Sequence, residues 1–95
     1  MNVTEALEAL SQVTGDAILL VADPTDGLAI VLWWEDPARR LAFTGEATNL
    51  DGDDLALYLV SKAASYLAGK ASDRGDLRRA VRLRTVEGQA MAAID

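Results

Sequence analysis

Two tyrosine–lysine pairs stand one helical turn apart in this chain, Tyr58 with Lys62 and Tyr66 with Lys70. A lysine at that spacing favours the phenolate, and such a pair can move a proton beside a bound dinucleotide. The chemistry also needs a dinucleotide fold with its glycine-rich phosphate turn. The chain has no G-x-G-x-x-G and no room for that fold. Geometry must precede pKa for a general base. Both pairs therefore read as i, i+4 neighbours on a helix surface.

The acids offer two further possibilities. Asn49, Asp51 and Asp53 match the first three ligand positions of a calcium loop. Glycine then falls at the fourth position instead of the sixth, and Val60 stands where the twelfth should be glutamate. A helix start explains the same acids, leaving at most a weak cation site at Asp51, Asp53 and Asp54; no metal is expected. Hydrolysis by carboxylates and Lys62 would draw on Asp23, Asp26, Asp51, Asp53 and Asp54. Such groups need a cleft that shifts one pKa, whereas a turn and a helix start face solvent. The chain holds no cysteine and no histidine. Disulfides, thiolate or imidazole zinc sites, and cysteine or Ser-His-Asp nucleophiles are excluded. A non-enzymatic protein without a cofactor is expected.

Arg78, Arg79, Arg82 and Arg84, with Lys70 and Arg74, form the main basic cluster. On a strand Arg78, Arg82 and Arg84 would point one way and could hold an anion or a partner's carboxylates. No aromatic residue lies among them to stack bases. Pairing with acids elsewhere in the chain, or a charged edge that discourages strand pairing, are the plainer readings. Net charge is −6, divided unevenly: residues 1–61 carry eleven acids and two bases, residues 62–95 four acids and seven bases. The acidity disfavours generic DNA or anionic-membrane binding. The asymmetry favours internal pairing or an oriented protein contact.

The elements that must position these residues follow from periodicity. Residues 17–46 read AILLVA, DPTDG, LAIVLWWE, DPARR and LAFTGE, three apolar runs joined by two turn signals. Each run is too short for an ordinary helix, so a three-stranded antiparallel meander is predicted. Both faces of the first two strands are apolar, so each needs a cover. Residues 2–13 read as an amphipathic helix with Val3, Ala6, Leu7, Leu10 and Val13 on one stripe. Asn2 and Glu5 make a capping box, and Gly15 is its stop. A second helix starts at Asp51, with Leu50 and Leu55 as a hydrophobic staple, and should end near Ala68 at Gly69. Its apolar arc spans roughly 200°, wider than one sheet face requires. From Asp76 onward Val81, Leu83 and Thr85 alternate with arginines, and Glu87-Gly88 could turn the chain into a second strand. A helix from Leu77 would stack Leu77, Ala80 and Val81 but leave Leu83 off the stripe and place Gly88 inside it. The hairpin is the preferred reading.

The expected fold is thus α+β, a single domain over residues 1–95 in the order α-β-β-β-α-β-β. An N-terminal and a central helix would pack on an antiparallel sheet made of the meander plus a C-terminal hairpin. In element order the chain resembles type III secretion chaperones. That resemblance implies a homodimer binding extended effector segments; the family's final helix has no counterpart after the hairpin. The stretch ALEALSQVTGDAILLVADPTDGLAI resembles the opening of a roadblock/longin-type domain, which implies dimerisation through sheet or helix surfaces. Such domains place two strands before the middle helix, where three are read here.

Trp34 shares its strand face with Leu28, Ile30 and Leu32, a row of large side chains suited to a core. Trp33 shares its face with the smaller Ala29 and Val31, suited to docking a partner. Ala29, Val31, Trp33 and Tyr58 are the expected interface, and Arg78, Arg82 and Arg84 the expected anion or partner contacts. The function these features imply is a homodimeric protein-interaction domain, adaptor or chaperone-like, binding neither nucleic acid nor membrane. An inhibitor of phage or plasmid type, whose acidic surface mimics nucleic acid, is the second expectation. The longest apolar run is far short of the ~20 residues a membrane helix needs. The first residues lack the basic start of a secretory leader, so a cytoplasmic protein is expected.

Overall fold

The computed structural model describes residues 1–15, 17–23, 27–33, 41–44, 50 and 52–94, with side chains for 1–15, 50 and 52–94. The element order is α1 (Val3–Thr14), β1 (Ala17–Asp23), β2 (Gly27–Trp33), β3 (Leu41–Thr44), α2 (Gly52–Asp73) and α3 (Leu77–Ala92).

Helix α1 is delimited by hydrogen bonds that its own sequence supplies. The Asn2 N–H donates to Glu5 Oε1 at 3.0 Å, and the Glu5 N–H donates to Asn2 Oδ1 at 2.8 Å. Two of the four orphan donors at the helix start are satisfied this way. Gly15, at φ 77°, closes the other end by donating its N–H to Ser11 O at 2.7 Å. A left-handed residue is cheapest as glycine, which has no Cβ to clash. The buried stripe is Ala6, Leu10 and Val13.

The backbones of β1, β2 and β3 pair antiparallel in that order. Ala17 stands opposite Trp33 and Leu20 opposite Ile30, while Val31 stands opposite Ala42 on the other side of β2. Helix α1 lies against β1, and α2 lies against β2 and β3.

The C-terminal segment overturns the predicted fold class. Residues 77–92 form helix α3 instead of a hairpin, so the order α-β-β-β-α-β-β and the five-strand sheet are both wrong. The body whose side chains are described is all-helical: every buried residue in it belongs to α1, α2 or α3. α+β is therefore not the class of the packed core described here. The cause lies in the phase of α3. Leu83, Val86 and Ala90 are buried, at helical spacing, and Ala80, Ala93 and Ile94 pack beside them. The stripe expected from Leu77 and Val81 is the outer one, which made Leu83 look misplaced. A helix satisfies its backbone hydrogen bonds locally, and its single interior glycine, Gly88, costs only ~1 kcal/mol. Losing the hairpin also removes the resemblance in element order to type III secretion chaperones.

A second correction concerns where α2 stops. The helix runs through Gly69 to Asp73. The turn comes at Gly75, at φ 78°, where the Gly75 N–H donates to Ser72 O at 3.0 Å and the Asp76 N–H to Ala71 O at 2.9 Å. That pair of bonds is a Schellman motif. Asp76 then caps α3, its carboxylate accepting from the Arg79 N–H at 3.2 Å. The same three-residue joint therefore ends one helix and starts the next. The wide apolar arc of α2 is used inside the molecule, because α1, α3 and two strands all lie against it. Ser61, a polar residue, is 5% exposed there. Among the described residues no helix is long and apolar enough to cross a membrane.

Candidate protein-docking surface

Helix α3 carries two apolar sets. The inner set, Leu83, Val86 and Ala90, is at most 4% exposed. The outer set is Leu77 at 64%, Val81 at 66% and Met91 at 48% exposure. At 100° per residue Leu77, Val81, Gly88 and Met91 fall within roughly 80° of one another. This narrow outer stripe follows the helix from its first turn to its last.

Charged side chains stand within and beside that stripe. Arg84 lies within its angular range, and its Nη1 donates to Ser65 Oγ at 3.0 Å and to Glu87 Oε1 at 3.1 Å. The guanidinium is thereby tied to the seam with α2. Exposure of 55% and 27% for the Arg84 and Glu87 side chains keeps this ion pair worth at most ~1 kcal/mol. Arg79 pairs more loosely with Asp76 at 3.7 Å. Arg78 stands about 60° beyond one edge of the stripe, Glu87 about 40° beyond the other, and Arg82 lies further round towards the buried face. Among the described residues no carboxylate pairs with Arg78 or Arg82.

The helix redistributes the predicted anion contacts. Arg82 and Arg84, expected to point the same way, stand about 160° apart around the helix. The three-arginine clamp of the strand reading does not form. Arg78 and Arg82 stay together, and Arg84 turns to α2. Tyr58 is half-buried on α2, with Lys62 Nζ 6.0 Å from its ring centroid. Lys70 Nζ lies 5.5 Å from the Tyr66 centroid, and Tyr66 is 43% exposed. Both pairs are cation–π neighbours along an outer helix face, an arrangement worth ~0.5–1 kcal/mol when exposed.

Ala29, Val31 and Trp33 occupy alternate positions of the central strand β2, opposite Val21, Leu19 and Ala17 of β1. Their side chains, and Trp34 as a whole, lie outside the described residues. The same holds for Asn49, Asp51 and Asp26, and for the side chain of Asp23. Of the first-half acids, Glu5, Glu8, Asp53 and Asp54 are described with side chains. The spacing that a nucleic-acid mimic requires rests mostly on the others. Lys62 follows Asp54 by eight residues, about 12 Å along the helix at 1.5 Å per residue. The proposed acid–lysine centre is therefore not assembled by Asp53, Asp54 and Lys62. Among the described residues no group of three potential metal-binding side chains occurs.

Sequence reasoning placed Leu77 and Val81 on one stripe of the helix it set aside but took that stripe as the inner one and left out Met91, which a full helical wheel adds. On that wheel Leu77, Val81 and Met91 fall together, apart from Leu83, Val86 and Ala90. Comparison with protein-family models, with curated proteins and with solved structures finds no match.

Proposed function

We propose that this chain is a small, acidic, non-enzymatic protein-interaction domain of the cytoplasm, whose docking surface is the outer face of α3. What carries the reading is the stripe of Leu77, Val81 and Met91, large apolar side chains that no described element covers. Single exposed hydrophobics are ordinary, whereas a row along four helical turns suits a binding surface. A chain without cysteine loses nothing in a reducing compartment.

Self-association through α3 is opposed by charge. An isologous antiparallel contact centred on the stripe would set Arg84 beside its symmetry mate. The homodimer we propose therefore uses the β2 positions Ala29, Val31 and Trp33. Sedimentation over a concentration series tests the two faces separately. Trp33→Ala should shift the chain towards monomer, and Val81→Glu should leave the dimer intact. A monomer at every concentration removes the dimer. Dissociation by Val81→Glu alone moves it to α3.

A further inference from the structure

We infer that the outer edge of β1 receives, as an added strand, an extended segment of a protein partner with an uncharged apolar centre and basic ends. This surface is separate from the outer face of α3. The sheet runs in the order β1-β2-β3, so β1 pairs with β2 on one side and with no described strand on the other. In an antiparallel ladder alternate residues turn their N–H and C=O groups to opposite sides of the strand. Every second residue of β1 therefore offers a donor and an acceptor at the outer edge, a template for another strand.

The two edges of the sheet differ. β3 spans four residues, Leu41–Thr44, and follows Arg39 and Arg40 in the sequence. Short length and basic residues both discourage edge pairing. β1 has neither. It spans seven residues, Ala17–Asp23, and reads AILLVAD, with no proline and no base. Its register with β2 runs one to one from Ala17 opposite Trp33 to Asp23 opposite Gly27, so no bulge turns the edge aside. At about 3.3 Å per residue this edge is about 23 Å long.

Charge and composition choose the occupant. Asp16 precedes the strand in sequence and Asp23 ends it, and the six residues between them are uncharged and apolar. An incoming strand with β-branched residues across its middle and lysine or arginine at each end matches that pattern position by position. A second copy of β1 fits less well. Paired antiparallel about Leu20, it would set Asp23 of each copy opposite Ala17 of the other, next in sequence to Asp16. Acids would then meet at both ends of the ladder.

The test uses the full chain and labelled synthetic peptides of about nine residues, the length of the edge with one residue beyond each end. Each alternates valine and threonine between two terminal lysines or two terminal glutamates. Fluorescence anisotropy should show the lysine-ended peptide binding at least about tenfold more tightly, with the gap closing as salt rises. Asp16→Lys with Asp23→Lys should reverse the preference. N-methylation removes backbone donors and keeps every side chain. Methylating one alternate set leaves one edge of the peptide intact, and binding should survive for at least one of the two sets. Methylating both sets should abolish it. Val81→Glu should leave binding unchanged.

Retained binding of the fully methylated peptide overturns edge pairing. Equal affinity of the lysine-ended and glutamate-ended peptides overturns the basic partner. Binding of neither peptide overturns the inference as a whole. Loss of binding in Val81→Glu moves the site to α3, and conversion of a dimer to monomer by the lysine-ended peptide assigns the edge to a second copy; either result overturns the inference.

Discussion

The inner and outer faces of α3 are made of similar residues and meet opposite fates. Leu83 is 1% exposed and Leu77 is 64%; Val86 is 4% exposed and Val81 is 66%. Neither hydrophobicity nor helix propensity separates the members of these pairs. Position relative to α2 and α1 does. The Arg74–Gly75–Asp76 joint ends one helix and caps the next, and it turns Leu83, Val86 and Ala90 towards the partner helices. The outer residues are left as surface for something else. An apolar residue's type thus says that it profits from burial, and the turn before it decides whether the protein itself provides that burial.

The largest expected effect tests this contrast directly. Leu83→Ala should destabilise the fold by ~2–5 kcal/mol, as leucine truncations in tight cores do. Val81→Ala should stay within ~0.5 kcal/mol, as surface changes do. Urea denaturation of the two variants measures both, and the reverse ranking would mean that α3 is rotated by half a turn.

A smaller effect probes the joint that sets the phase. Gly75→Ala forces a Cβ into the left-handed region and should cost ~1–2 kcal/mol. Gly69→Ala sits inside α2 with open space around its Cβ position, so it should stabilise by up to ~1 kcal/mol. Thermal melts of the pair then separate the true helix stop from the false one. Equal and opposite shifts in the wrong order would restore Gly69 as the stop.

The smallest effect concerns the tie between the two faces. Arg84→Ala removes the bonds to Ser65 and Glu87, all partly exposed, and should change stability by less than ~1 kcal/mol. A loss of several kcal/mol by denaturant titration would show Arg84 to be part of the core and not an edge of the docking surface.

What the sequence determined by itself was local. The ends of α1 follow from Asn2, Glu5 and Gly15, because capping bonds join residues three or four apart and need no distant partner. The backbone of the three apolar runs between residues 17 and 44 pairs as the Pro- and Gly-containing breaks suggested. The start of α2 was legible in Asp53 and Asp54, which favour the positive end of the helix dipole. The candidate site was legible only in part. Arg78 was singled out as a contact and Leu77 and Val81 only as the stripe of the helix reading that was set aside, whereas Met91 was not named. Tertiary structure alone decided that α2 runs through Gly69, that Ser61 is buried, and that residues 77–92 are a helix with Leu83 inward. Each of these depends on free energy gained between elements distant in sequence. Packing along α2 outweighs the cost of one interior glycine, and a helical Leu83 reaches a core that an alternating strand pattern in Val81, Leu83 and Thr85 does not reveal.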